Sequence, residues 1–100
     1  MKVNIQFLKM QTSEYMEGFV QKKLVKLSKR YDWIIKAEVT YKFENDPKGK
    51  GKICEIQLSL PGPRIFASSN EDNYELATDN TIKDLEKQLK KRKSEMRPHL

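Results

Sequence analysis

The chain has 100 residues, of which 37% are hydrophobic, enough apolar side chains for one compact core and no second. Twenty Lys plus Arg stand against 14 Asp plus Glu, a net charge of +6 that favours an anionic partner, nucleic acid or lipid surface, without choosing between them. A disulfide scaffold and a cysteine zinc cluster are excluded because Cys54 is the only cysteine, and no stretch approaches the roughly 20 apolar residues that span a bilayer.

Val3, Ile5 and Phe7 alternate with Lys2, Asn4 and Gln6, a period of two that reads as a strand with one buried face. It does not resemble a secretory leader, so the expectation is a soluble, cytoplasmic protein with no membrane contact. Thr12 and Ser13 then offer N-cap oxygens, and Glu14 and Glu17 suit the positive pole of a helix. Met16, Val20, Leu24, Leu27 and Tyr31 follow at steps of three and four, with Phe19 beside them, which predicts a helix from about Glu14 to Arg30. Trp33 to Glu44 returns to period two. Ile35, Ala37, Val39, Tyr41 and Phe43 share one face, and Lys36, Glu38, Thr40, Lys42 and Glu44 share the other.

The stretch from Asn45 to Gly51 is turn chemistry. A third strand directs Cys54, Ile56 and Leu58 inward and Ile53, Glu55 and Gln57 outward, which makes Cys54 a core thiol. Pro61-Gly62-Pro63 turns into a brief fourth strand, Arg64 to Ser68. Ser69-Asn70-Glu71-Asp72 supplies caps and acidic charge for a final helix, and Thr78, Ile82, Leu85, Leu89 and Met96 form its apolar line. Tyr74 and Ala77 join that line at its start, and Pro98 stops the helix. The order is β-α-β-β-β-α, an α+β fold. The first helix makes its flanking strands parallel neighbours by a right-handed crossover, and short turns make the other pairs antiparallel. A four-stranded sheet with two helices packed on one face buries every apolar stripe and leaves the other sheet face solvated. Residues 1–100 read as a single domain.

The positive charge is concentrated. Residues 21–30 and 87–93 each hold five cations and no acid, so the remainder of the chain is net acidic. Lys22, Lys26 and Lys29 share one side of the first helix, bordered by Lys23 and Arg30. Lys83, Lys87 and Lys90 repeat the spacing on the last helix, with Lys91 adjacent and Arg92 and Lys93 following. Like charges stacked this way repel by a few tenths of a kcal/mol per pair, a cost that a bound polyanion would offset. The plainer alternative is a solvated helix face, which pairing such as Glu86 with Lys90 would support, but the second half of the first helix offers no such partner. Nucleic-acid binding is the better account.

Catalytic chemistry is missing. The only histidine, His99, stands beside the C-terminus, no Gly-rich phosphate loop is present, and the acids show no paired, buried pattern. The expectation is a protein that is not an enzyme, with no cofactor, no metal and no small-molecule substrate. Trp33 and Tyr74 have the rings to stack on bases, but each opens an element next to apolar residues, which favours packing.

Three segments carry a resemblance to a known family. The first runs Phe19-Val20-Gln21-Lys22-Lys23-Leu24-Val25-Lys26-Leu27 and on through Tyr31-Asp32-Trp33-Ile34. The second is the Pro61-Gly62 turn followed by Phe66-Ala67-Ser68. The third places Tyr74, Asp79, Leu85, Gln88, Leu89, Lys91 and Lys93 along the last helix. In this order the chain resembles the ribosome hibernation promoting factor family, which includes ribosome-associated inhibitor A. The resemblance implies a fold like that of double-stranded-RNA-binding domains. It also implies a translation inhibitor that binds the rRNA of the small ribosomal subunit in the mRNA and tRNA channel and blocks initiation. Carried over by position, Lys23, Lys26, Lys87, Lys91 and Lys93 are the implied rRNA contacts. Lys22, Lys29, Arg30, Lys83, Lys90 and Arg92 join them on spacing and charge alone. Trp33 departs from the pattern, standing where the family often has Arg. Long family members carry a further C-terminal domain that pairs ribosomes, and the expectation here is none, with a monomer off the ribosome. The competing functions are a general double-stranded-RNA binder and a protein-interaction regulator using the polar sheet face or a strand edge.

Overall fold

A computed structural model of the chain describes residues 1–96; Pro98, the expected helix stop, and His99 lie outside them. Six elements follow in the order β1 (Lys2–Phe7), α1 (Glu14–Arg30), β2 (Lys36–Phe43), β3 (Lys52–Ser59), β4 (Ile65–Glu71) and α2 (Tyr74–Met96). The sheet runs β1-β2-β3-β4 in space. β1 lies parallel to β2, and the two later pairs are antiparallel, as the α+β reading requires.

Register aligns the apolar positions into layers. Ala37 stands opposite Leu58 and Leu58 opposite Ile65; Val39, Ile56 and Ala67 form the next row. These rows meet Met16, Val20, Leu24 and Leu27 of α1 and Ala77, Ile82, Leu85 and Leu89 of α2 in one buried cluster, so both helices cover the same sheet face. Each fully buried aliphatic side chain contributes about 1.5–3 kcal/mol.

Among the described residues no buried side-chain nitrogen or oxygen lacks a hydrogen-bond partner. The Tyr41 hydroxyl is 2.7 Å from Thr78 Oγ1, which itself donates to the Tyr74 carbonyl at 2.7 Å, so Tyr41 is the donor of the pair. The Thr81 hydroxyl reaches the carbonyls of Ala77 at 2.8 Å and Cys54 at 3.2 Å. Cys54 is fully buried, and burial pushes its thiol up to about 11.

Several expectations need correction. β2 begins at Lys36, and Ile35 and Phe43, beyond and at its ends, are 62% and 56% exposed rather than part of the core row. Ile53 points to the outer sheet face yet is buried. Its register partners there are Lys42 and Asn70, and the Lys42 ammonium pairs with Glu55, two residues further along β3, at 3.2 Å. β4 extends through Glu71, so Ser69, Asn70 and Glu71 are strand residues rather than caps. The cap of α2 is Asn73, whose side-chain oxygen accepts from the Leu76 amide at 2.7 Å. Met96 is exposed, because α2 runs on past the end of α1 and its last turn meets no core.

Candidate nucleic-acid interface

The two helices lie parallel, and side-chain pairs between them fix their register. Lys23 Nζ is 2.7 Å from Asp79, Arg30 Nη1 is 3.2 Å from Glu86, and Leu27 and Ile82 line the groove between those bridges. Residue numbers climb together on both sides, so the basic C-terminal halves lie at the same end of the molecule. An antiparallel pair would have set each basic half against an acidic one, since Glu14, Glu17 and Glu75 occupy the first turns.

Sequence spacing then decides which way the cations point. The core row of α1 is Val20, Leu24 and Leu27, and Lys22, Lys26 and Lys29 fall on the opposite, exposed side. The core row of α2 is Thr78, Ile82, Leu85 and Leu89, and Lys83, Lys87, Lys90 and Lys91 face away from it, all exposed. Lys93 is exposed too, its ammonium 5.9 Å from the Tyr31 ring centroid, and Arg30 reaches the same ring at 5.5 Å. None of Lys22, Lys26, Lys29, Lys83, Lys87, Lys90, Lys91 and Lys93 is paired with an acid among the described residues.

Three of the eleven candidate residues are committed elsewhere. Lys23 and Arg30 are neutralised by α2, and the pairing of Glu86 is with Arg30, not with Lys90. The second half of α1 does find acid partners, across the helix interface rather than along its own face. Arg92 donates to the Pro61 carbonyl at 3.0 Å and lies against Gly62, so it fastens the β3–β4 turn to α2. Trp33 packs edge-on against Tyr31 at 5.8 Å, and Tyr74 donates to the Lys42 carbonyl at 3.2 Å while meeting Tyr41 edge-on; both rings are packing residues.

On the opposite sheet face Lys36 pairs with Glu38 and Lys42 with Glu44 and Glu55, while at the helix-side edge Glu71 holds Lys50 and Asn80 of α2. Hydrogen bonding to Glu55 raises the Lys42 ammonium above its usual range. Among the described residues no group of three or more His, Cys, Asp or Glu could hold a metal ion, and no helix is long and apolar enough to cross a membrane.

The fold and surface define a small α+β module with eight cations, unpaired among the described residues, on the outer side of its two helices. A model of the family described as "Sigma 54 modulation protein / S30EA ribosomal protein" matches residues 3–97, and the chain belongs to that family. Ribosome-associated translation regulation is the function this membership carries. Over 93 residues the chain is 29% identical to a ribosome hibernation promoting factor of Pseudomonas putida, covering 93% of this chain and 87% of the relative. Two solved structures share the fold. A ribosomal subunit interface protein from Coxiella burnetii superposes with a TM-score of 0.83 at 26% identity, covering 94% of this chain and 99% of that one. The N-terminal domain of Thermus thermophilus Protein Y gives 0.77 at 25% identity, covering 91% and 98%.

Proposed function

We propose that the chain is a ribosome hibernation factor that lies on small-subunit rRNA in the mRNA and tRNA channel and blocks initiation by occupancy. One observation carries the reading: parallel helices bring eight cations with no acid partner among the described residues onto a single outer surface. In this reading residues 1–100 act as one ribosome-binding domain, monomeric off the ribosome and cytoplasmic. The names of the Pseudomonas and Coxiella relatives support it. Lys22, Lys26, Lys29, Lys83, Lys87, Lys90, Lys91 and Lys93 contact phosphates, and folded rRNA is read by shape and backbone rather than by base edges. Lys23 and Arg30 hold the two helices in register, and Arg92 holds the turn.

Replacing Lys87, Lys90 and Lys91 together with Glu tests the reading. All three are exposed and without acid partners among the described residues, so the circular dichroism and melting temperature stay close to native, while cosedimentation with small subunits is lost. Normal cosedimentation refutes the assignment. A plain RNA duplex bound as tightly as the small subunit would favour the general double-stranded-RNA binder instead.

A further inference from the structure

The N-terminal half of α1 carries a depression of about 570 Å³ that phosphate contacts alone leave unused. Its floor is bare backbone. Gly18 has no side chain, and a Cβ placed there would meet nothing within 4 Å. Tyr15 stands beside it, 64% exposed, its ring 6.0 Å from that of Phe19 and tilted by 37°. Glu14 closes one end, and Lys22 and Lys26 the other.

These walls are not equivalent. Phe19 packs against the core, Lys23 covers its ring at 4.8 Å, and Asp79 holds Lys23 in turn, so that side is fixed. Tyr15 has no comparable anchor and leaves an aromatic face open to solvent. Folding does not call for an exposed aromatic there, since Ala, Lys or Glu would serve the helix better. Helical side chains lean toward the N-terminus, which tilts Lys22 and Lys26 back over the depression. The order along the helix is therefore a carboxylate acceptor, an open ring, and two cations without acid partners among the described residues.

A nucleotide presents the complementary order: N–H donors on its base edge, a flat aromatic ring, and a phosphate. An acidic peptide would bring a carboxylate toward Glu14 and give the ring nothing to stack on. The volume falls in the range of sites for small organic groups, about 300–1,000 Å³. We infer that this depression seats one unpaired nucleobase of the bound RNA, stacked on Tyr15, with its phosphate between Lys22 and Lys26. The inference rests on the RNA-binding reading above and adds to it a contact that duplex RNA, whose base faces are covered, does not offer.

Stacking releases no counterions, so its loss leaves a signature distinct from that of a lost lysine. Tyr15→Ala is expected to weaken small-subunit binding about fivefold or more, equally at low and high salt, with the salt slope unchanged. Tyr15→Phe keeps the ring and binds as the native chain does; Gly18→Leu fills the floor and behaves like Tyr15→Ala. In an NMR titration with a short oligocytidylate the Gly18 amide resonance moves, and with an RNA duplex it does not. Native binding by Tyr15→Ala, alongside loss in the Lys87, Lys90 and Lys91 triple variant, overturns this inference and leaves the broader reading standing. Native binding by all of these variants overturns both. Loss of subunit binding in Tyr15→Ala with an unmoved Gly18 resonance also overturns it, because the ring would then be meeting protein.

Discussion

Cys54 and Tyr41 show how single buried groups tie stability to pH. Burial is the main cause holding the Cys54 thiol up at about 11 against an ordinary 9.0, and burial also raises the Tyr41 phenol. Both groups keep their protons in the folded chain at a pH where the unfolded chain has begun to lose them. Their contribution is complete below the unfolded values and disappears as pH climbs through the folded ones. Urea unfolding should therefore show stability falling by about 2 kcal/mol between roughly pH 9 and 11 from Cys54 alone. Cys54→Ala should remove the early part of that fall, and an unchanged pH profile in the variant would refute the assignment. At Gly18 the opposite side of α1 is open, so Gly18→Ala should raise stability by about 0.5–1 kcal/mol in the same measurement, since Ala is the better helix former. Cys54 was legible as a core residue from strand alternation. Ile53 was not, because it lies on the outer face, where its burial depends on neighbouring strands, and period two speaks only of the strand's own faces.

At the scale of elements, periodicity foretold the helices and strands because each buries one face. The core rows of α1 and α2 were readable from steps of three and four. What periodicity missed lay at ends and between elements. The end of β4 looks like a cap because Ser, Asn and acids serve strands and caps alike; only the ladder to β3, where Asn70 pairs with Ile53 and Glu71 with Lys52, separates the two. The pairs Lys23–Asp79 and Arg30–Glu86 join residues 56 positions apart, out of reach of any spacing rule within one helix. Their role is register more than energy, because these side chains are a third exposed or more, where such pairs are worth about 0–1 kcal/mol. A double-mutant cycle with Arg30→Ala and Glu86→Ala should give a coupling below about 1 kcal/mol in thermal unfolding. A coupling several times larger would mean that the bridge stabilises the fold in its own right. Leu85→Ala, by contrast, empties a fully buried position and should cost about 2–5 kcal/mol.

For the whole molecule, what matters is that charge is sorted by side. On the sheet face Lys36 and Lys42 sit against Glu38, Glu44 and Glu55, and the helical face leaves eight cations without acid partners among the described residues. Counting charges along the chain identified the two basic segments. It did not reveal that the helices run parallel, which is what adds the segments together rather than setting them apart. Nor did it reveal that Lys23, Arg30 and Arg92 have partners within the fold. A surface of this kind binds RNA largely by releasing counterions, so affinity falls linearly in log–log terms with salt, with a slope of about −0.7 to −0.9 per neutralised phosphate.

The most direct measurement is the affinity of the native chain for purified small ribosomal subunits across a series of salt concentrations, repeated with the Lys87, Lys90 and Lys91 to Glu variant. Steep salt dependence in the native chain, with binding in the variant too weak to measure at the lowest salt, is the predicted result. A native affinity indifferent to salt, or a variant that tracks the native curve, would contradict the claim that the paired helical face is what meets RNA.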